Sequence, residues 1–310
     1  MAQNITPFKK LLKNPWGAVS FAIVALYMLL AVGIEIYSVS CQMRDVRPAY
    51  DQALGEKFRK PDSRHLFGTD YQGRDVFFRA VAGTATAMKV GIVSGVIAVV
   101  LGVFFGTLAG YFGKFWDDLV VWLYSVFASM PSLLFILGFA LLISRGFLPP
   151  ALMNAVRGAA ACIHVEPGML AVYMAIGLTG WVTLSRVIRA ECMKLKKAPY
   201  VEAAKIAGVG SFRIICRHIL PNLRHLVIIF FTLTFAGAVM LEVIVSYLGL
   251  GVQSAPSWGV MIADGQEKLW RGVYWEIGGA TLFMFILVLA LNLLGDAMRD
   301  AFDPKESRGR

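Results

Sequence analysis

Charge is scarce in this chain. Only 16% of its 310 residues are Asp, Glu, Lys or Arg, where a soluble domain carries about a quarter. Cysteine is scarce too. Cys41, Cys162, Cys192 and Cys216 show no metal-ligand spacing, and nothing in their placement says whether Cys41 and Cys162 pair. The four histidines, His65, His164, His218 and His225, are scattered and form no HExxH, and there is no CxxC. No G-x-x-x-x-G-K-[ST] phosphate loop exists, because Gly113-Lys114 is followed by Phe115 and the rest is missing. A GxSxG nucleophile elbow is missing as well. The residues therefore argue against an enzyme, a metal protein or a chain that binds ATP itself. The excess of basic groups, +10 formally, does not alternate with aromatics as a nucleic-acid-binding arm would.

What the sequence has in plenty is apolar run. Hydrophobic residues make up 57%, and mean hydropathy is +0.65. Runs of roughly 20 apolar residues match a hydrocarbon core about 30 Å thick. The reading is an all-α membrane protein with six transmembrane helices, at about 16–39, 86–110, 119–143, 169–190, 224–247 and 277–297. Residues 1–72 form an N-terminal span with an outer loop, 73–300 the core transmembrane domain and 301–310 a tail. The first run follows Lys9, Lys10 and Lys13 but outlasts a signal-peptide h-region of about 7–15 residues, so it is read as a retained span. The stretch before Cys41 is similar to a lipoprotein cleavage site, but Ser38 stands where Leu is needed.

Six spans put both termini on one side. The loop at about 191–223 carries Lys194, Lys196, Lys197, Lys205, Arg213 and Arg217 against Glu191 and Glu202, which points to the cytoplasm. Gly73–Met88 reads as an interfacial stretch with Phe77 and Phe78 as anchors. Ala98, Gly102, Gly106 and Gly110 recur every four residues, a small-residue stripe for close helix packing. Pro131 should kink the third span. Glu35, Lys89 and Glu242 lie toward outer span ends, and Arg186 and Arg189 toward an inner one. None is central, and snorkelling accounts for the three basic ones. With no midplane charge and no evident inverted repeat, an ion-coupled carrier is disfavoured. The stretch 144–168 reads as a surface insertion.

Glu202–Asn222, EAAKIAGVGSFRIICRHILPN, interrupts two apolar stretches. Pro199 can start a helix, Gly208-Val209-Gly210 breaks it, Ser211 can cap a second, and Pro221-Asn222 should end that one. From shape alone, a docking knob and a mere connector are equally good readings. Glu202-Ala203-Ala204, then Gly208, then Leu220-Pro221 resemble the EAA loop of ABC-importer permeases, and His218-Ile-Leu-Pro221 resembles the dipeptide/oligopeptide/nickel branch. His65-Leu-Phe-Gly-Thr-Asp70 with Gly73-Arg-Asp-Val76, Ser246–Val252, Pro256-Ser-Trp-Gly259, Asn292–Asp296 and Arg299-Asp-Ala301 with Asp303-Pro304 resemble further motifs of that branch, in order. Trp122 and Ser125 stand where the branch often carries Arg and Asp.

The resemblance implies the C-type permease subunit of a bacterial inner-membrane ABC importer, multi-pass with cytoplasmic termini. The fold would be the type I importer permease fold with cytoplasmic coupling helices. It implies four partners: a homologous permease as heterodimer, two ATP-binding subunits that hold the ATP and magnesium, and an extracytoplasmic substrate-binding protein. Membrane lipid surrounds them, and this chain binds no cofactor. Glu202, Ala203, Ala204, Gly208, Leu220 and Pro221 would then dock in an ATPase groove, with Lys205 and Arg213 as further contacts or a solvated face. Glu242 matches an acidic position of the family and is read first as half of an ion pair with Lys89 or Arg79, second as a path residue. Asp70, Arg74 and Asp75 would brace the outer surface. Peptide is the first choice of substrate, with nickel or another small solute as alternatives.

Overall fold

A computed structural model describes residues 7–53, 55–251 and 255–302. Among them the regular structure is helical, with one isolated bridge between Thr69 and Asp75. Lipid offers backbone amides no partner, so each crossing must satisfy its own. Helix α1 (Pro7–Lys13) leads into α2 (Pro15–Met43), whose start is fixed by Pro15 and by the Asn14 side chain accepting from the Trp16 N–H. Helix α3 (Val76–Phe112) is capped by Asp75, which accepts from the amides of Phe77 and Phe78 at 2.9 and 3.1 Å.

The expected interfacial stretch is not separate from the span that follows it. Gly73–Met88 feeds directly into α3, and Arg79, Ala80, Gly83, Thr84 and Met88 are buried. Its small residues make room for Trp258 from the far end of the chain, since a Cβ on Gly83 would lie 2.7 Å from that ring.

The third span is also not one helix. Lys114–Ser129 (α4) and Ser132–Ser144 (α5) meet at 90°. Pro131 forces Met130 into an extended conformation, ψ 133°, so the expected kink becomes a full break. The pair still traverses the bundle. Asp117 of α4 binds Arg189, while Ile143 of α5 packs with Ala171 at the other end of the same partner helix, α7 (Pro167–Leu195). Five single helices are long and apolar enough to cross a membrane, and the bent pair makes a sixth passage.

Between α5 and α7, the expected insertion holds its own helix, α6 (Pro150–Cys162), with Met153 and Ala160 buried. The remaining elements are α8 (Pro199–Ile206), α9 (Ser211–Ile214), a π-helical turn (Ile215–Ile219), α10 (Leu220–Tyr247), α11 (Trp258–Gln266) and α12 (Trp275–Phe302). Val252 and the tail residues Asp303 and Pro304 lie outside the described residues. All four cysteines are free, so Cys41 and Cys162 do not pair.

Leu11 and Ala297 share one small buried cluster, and the rings of His225 and Phe302 lie 6.4 Å apart. The Pro7 end, the end of α12 and the 191–223 loop thus share one face of the bundle. The opposite face carries the starts of α3, α7 and α12 together with α11.

The small-residue stripe on α3 meets a helix of this same chain. A Cβ on Gly102 would lie 2.9 Å from Leu184, one on Gly106 2.8 Å from Ile188, and one on Gly110 2.7 Å from the Arg189 carbonyl, all on α7. From the other side, Gly177 leaves room for Ile97. Farther along α3, Gly95 accommodates Phe231 of α10. Lipid tails are as apolar as leucine, so close van der Waals contact and not water release must hold these helices together.

Gly106→Leu should therefore destabilise the purified chain by about 2 kcal/mol or more, through overpacking. Gly138→Ala, where an added Cβ meets nothing within 4 Å, should leave the unfolding midpoint where it is. Thermal unfolding in detergent compares the two.

Candidate functional site

The 191–223 loop is an ordered knob. Helix α8 starts at Pro199 and stops at Ile206, and the chain turns at Gly208, whose φ of +76° suits a residue with no Cβ. There the Val209 amide returns to the Ala204 carbonyl at 3.0 Å. Ser211 is not a cap: Gly210 occupies that position, and Ser211 is the first helical residue.

Nor does Pro221 end the second helix. Ser211–Tyr247 runs on as one 37-residue rod. Proline has no N–H and its ring crowds the carbonyl four residues back. The π turn absorbs this, with the Leu220 amide reaching Ile215 and the Asn222 side chain donating to the His218 carbonyl at 2.6 Å.

One side of the knob is nailed to the bundle. Val201, Ile214, Ile219 and Leu223 are fully buried with Tyr111 of α3 and with Leu184, Ile188 and Cys192 of α7. The other side faces out. Glu202, Ala203, Gly208 and Pro221 are exposed, while Ala204 and Leu220 are half-buried. Lys205 turns back, donating to the Lys196 carbonyl at 3.2 Å, whereas Arg213 is exposed. Two residues that sequence reasoning passed over dominate this surface: Ile206 is 89% and Phe212 81% exposed. Five residues from Val201, Ile206 falls off the buried face, a signal present in the sequence.

The three basic groups read as snorkelling, Lys89, Arg186 and Arg189, instead meet partners within the protein. Arg189 grips Asp117 with two donors, one at 2.7 Å. Arg186 lies 4.6 Å from the centre of the Tyr124 ring. Lys89 pairs with Glu35 at 2.7 Å, and Arg79 with Asp70. The expected pairing of Glu242 with Lys89 or Arg79 is thus absent. Glu242 is buried and accepts from Ser246 Oγ at 2.6 Å and Ser257 Oγ at 2.9 Å. Ser257 in turn accepts from the Gly259 amide, capping α11.

Residues 102–308 match the family described as the inner membrane component of binding-protein-dependent transport systems. The dipeptide transport permease DppC of Bacillus subtilis is 32% identical over 97% of this chain and 85% of its own length. The oligopeptide permease OppC of the same organism is 28% identical over 94% and 86%, and the glutathione permease GsiD of Pectobacterium atrosepticum 29% over 90% and 85%. The chain belongs to this family of transport permeases. It is a membrane transport subunit, and among its described residues no group of His, Cys, Asp and Glu could hold a metal ion.

In this permease the motif residues at the end away from the knob knit loops to helices. Asp70 is buried and accepts from Arg74 Nε and Arg79 Nη1, both at 2.7 Å, and from the amides of Gln72 and Arg74. His65 Nδ1 contacts Asp75 at 2.7 Å. Trp258, from Pro256-Ser-Trp-Gly259, donates to the Ala80 carbonyl at 2.8 Å, and Trp275 to that of Thr69 at 3.0 Å.

Burial alone would raise the Asp70 pKa, but the Arg74 amide and the two guanidinium groups hold it below the usual carboxylate range. A depressed carboxylate contributes stability that is full above its unfolded pKa and lost as pH falls through the folded one. Asp70→Asn should cost about 3–5 kcal/mol at pH 7 by leaving the buried Arg79 and the half-buried Arg74 unmatched. The gap to wild type should stay constant down to pH 5 and close only below about pH 4. Unfolding midpoints across that range measure it.

Proposed function

We propose that this permease forms half of the translocation path of an ATP-driven importer for short peptides. The observation that carries the reading is the knob: a surface with Glu202, Ile206 and Phe212 exposed, continuous with a membrane-crossing rod and fixed to α7. In soluble surroundings such a patch requires a partner. Two ATP-binding subunits below the membrane, a homologous permease beside this chain and a binding protein outside complete the importer. The relatives' names supply peptides as the substrate class.

The knob end is assigned to the cytoplasm of a bacterial inner membrane, with both termini. Its excess of Lys and Arg supports this. Residues 73–300 act as the permease core, and α2 packs on its outside. Ile206 and Phe212 fill apolar recesses in the ATPase, and Glu202 adds a charge-assisted contact. Ala203 and Ala204 permit close approach, Gly208 supplies the turn, and Leu220 and Pro221 sit at the joint between knob and rod. Closure of the two ATPases displaces the knob, and α7 and α10 follow as a rigid body, which exposes the path to alternate sides. ATP and magnesium stay on the partners. Glu242 holds the α10–α11 corner through its two serines, and Lys89 serves with Glu35.

In a strain lacking this chain, wild type should restore uptake of labelled dialanine. Glu202→Lys and Ile206→Asp should each lower it at least tenfold while the protein still reaches the membrane, since both positions are exposed. Wild-type rates from either variant would refute the docking role. Uptake by this chain alone in liposomes would instead show a self-sufficient carrier.

A further inference from the structure

A cavity of about 150 Å³ lies at the end away from the knob, between α2, α3, the start of α7 and Ala255-Pro256. Its polar groups are unevenly matched. Lys89 Nζ binds Glu35 Oε2 at 2.7 Å and the His164 carbonyl at 3.3 Å. Thr86 donates to the Pro256 carbonyl at 2.7 Å, and Tyr50 to Ser38 Oγ at 3.3 Å. Glu166 lines the same space, and its carboxylate has no ion pair or hydrogen bond with any described residue. Two carboxylates thus face the one ammonium of Lys89. The apolar lining comes from Ile34, Ala85 and Met169.

An anion would meet this excess of negative charge, and an uncharged guest without N–H groups would displace water from the carboxylates without replacing its hydrogen bonds. We propose that the cavity binds a primary ammonium on a short carbon stem. Glu166 and the second oxygen of Glu35 accept its N–H groups, the stem lies along Ile34 and Met169, and Lys89 faces any anionic group the ligand bears. The site is distinct from the coupling knob and from the Asp70 cluster.

Two molecules near an importer's outer face carry this chemistry: the amino terminus of a short peptide and the ethanolamine headgroup of a phospholipid. The peptide source rests on the function proposed above; the headgroup source does not.

The test uses the complete importer, this chain with its partner subunits, in nanodiscs of phosphatidylcholine and phosphatidylglycerol, neither of which has a primary amine. Dialanine, N-acetyl-dialanine, glycerophosphoethanolamine and glycerophosphocholine are titrated, and the unfolding midpoint is followed. A saturable rise is expected with dialanine, glycerophosphoethanolamine or both, and none with the acetylated or choline probes. Glu166→Gln should weaken that binding about tenfold or more. Because Glu166 is exposed, this variant keeps the fold; Glu35→Gln, which also unpairs Lys89, is the second. A rise confined to one amine identifies the source. No rise with either amine, an equal rise with the acetylated peptide, or a rise that both variants leave untouched overturns the proposal. If wild-type cells fail to import dialanine while glycerophosphoethanolamine binds in the carboxylate-dependent way, the peptide reading falls and the ammonium site stands.

Discussion

The close approach of α3 to α7 is the contact on which the rest of this permease depends. Water gives helices no reason to associate inside lipid, so the backbones must come near enough for dispersion to suffice. Gly102, Gly106 and Gly110 on one helix and Gly177 on the other make that possible. Further glycines of α3 receive other partners: Gly83 takes Trp258, Gly91 Phe235 and Gly95 Phe231. One helix of small residues thereby serves as the wall against which α7, α10 and α11 are all set.

That seam gives the knob its footing. Tyr111 at the end of α3 and Ile188 and Cys192 on α7 form the floor on which Val201, Ile214, Ile219 and Leu223 rest. Because the π turn carries the second knob helix past Pro221 without a break, α10 is joined to the knob covalently and helically. A push on Phe212, which lies in the rod itself, has no loose joint in which to dissipate, while Ile206 on α8 is coupled to it through the packing of Val201 on the same floor. At the far end, Trp258 and the serines around Glu242 tie the top of α10 to α3 through α11.

Much of this was legible in the sequence because lipid enforces simple patterns. Five apolar runs became single helices, the glycine stripe found its helix, and Gly208 made its turn. Where the structure departs from the local pattern, a tertiary partner overrides the local signal. Gly73–Met88 reads locally as an interfacial stretch anchored by Phe77 and Phe78, yet Asp75 caps α3 within it and Asp70 binds its Arg74 and Arg79. Pro221 looked like a stop, but a π turn with Asn222 can carry a helix across proline. The ion pairs Lys89–Glu35 and Arg189–Asp117 join residues 54 and 72 positions apart, and no spacing rule links such positions. The spacing of Ile206 from Val201 places the two on different faces of α8, but that the Ile206 face and Phe212 are the outward ones follows from which face of α8 and α9 the floor claims.

The central claim is that knob, α7 and α10 move as one body. Its most direct test is a pair of spin-label distances in the assembled importer, with and without a trapped ATP state. Labels at exposed Arg213 on the knob and exposed Met240 on α10 should keep the same separation in both states. Labels at Arg213 and at exposed Leu29 on α2 should change theirs. A changed Arg213–Met240 distance would mean that the π turn bends and that the knob is a hinge, contradicting the account.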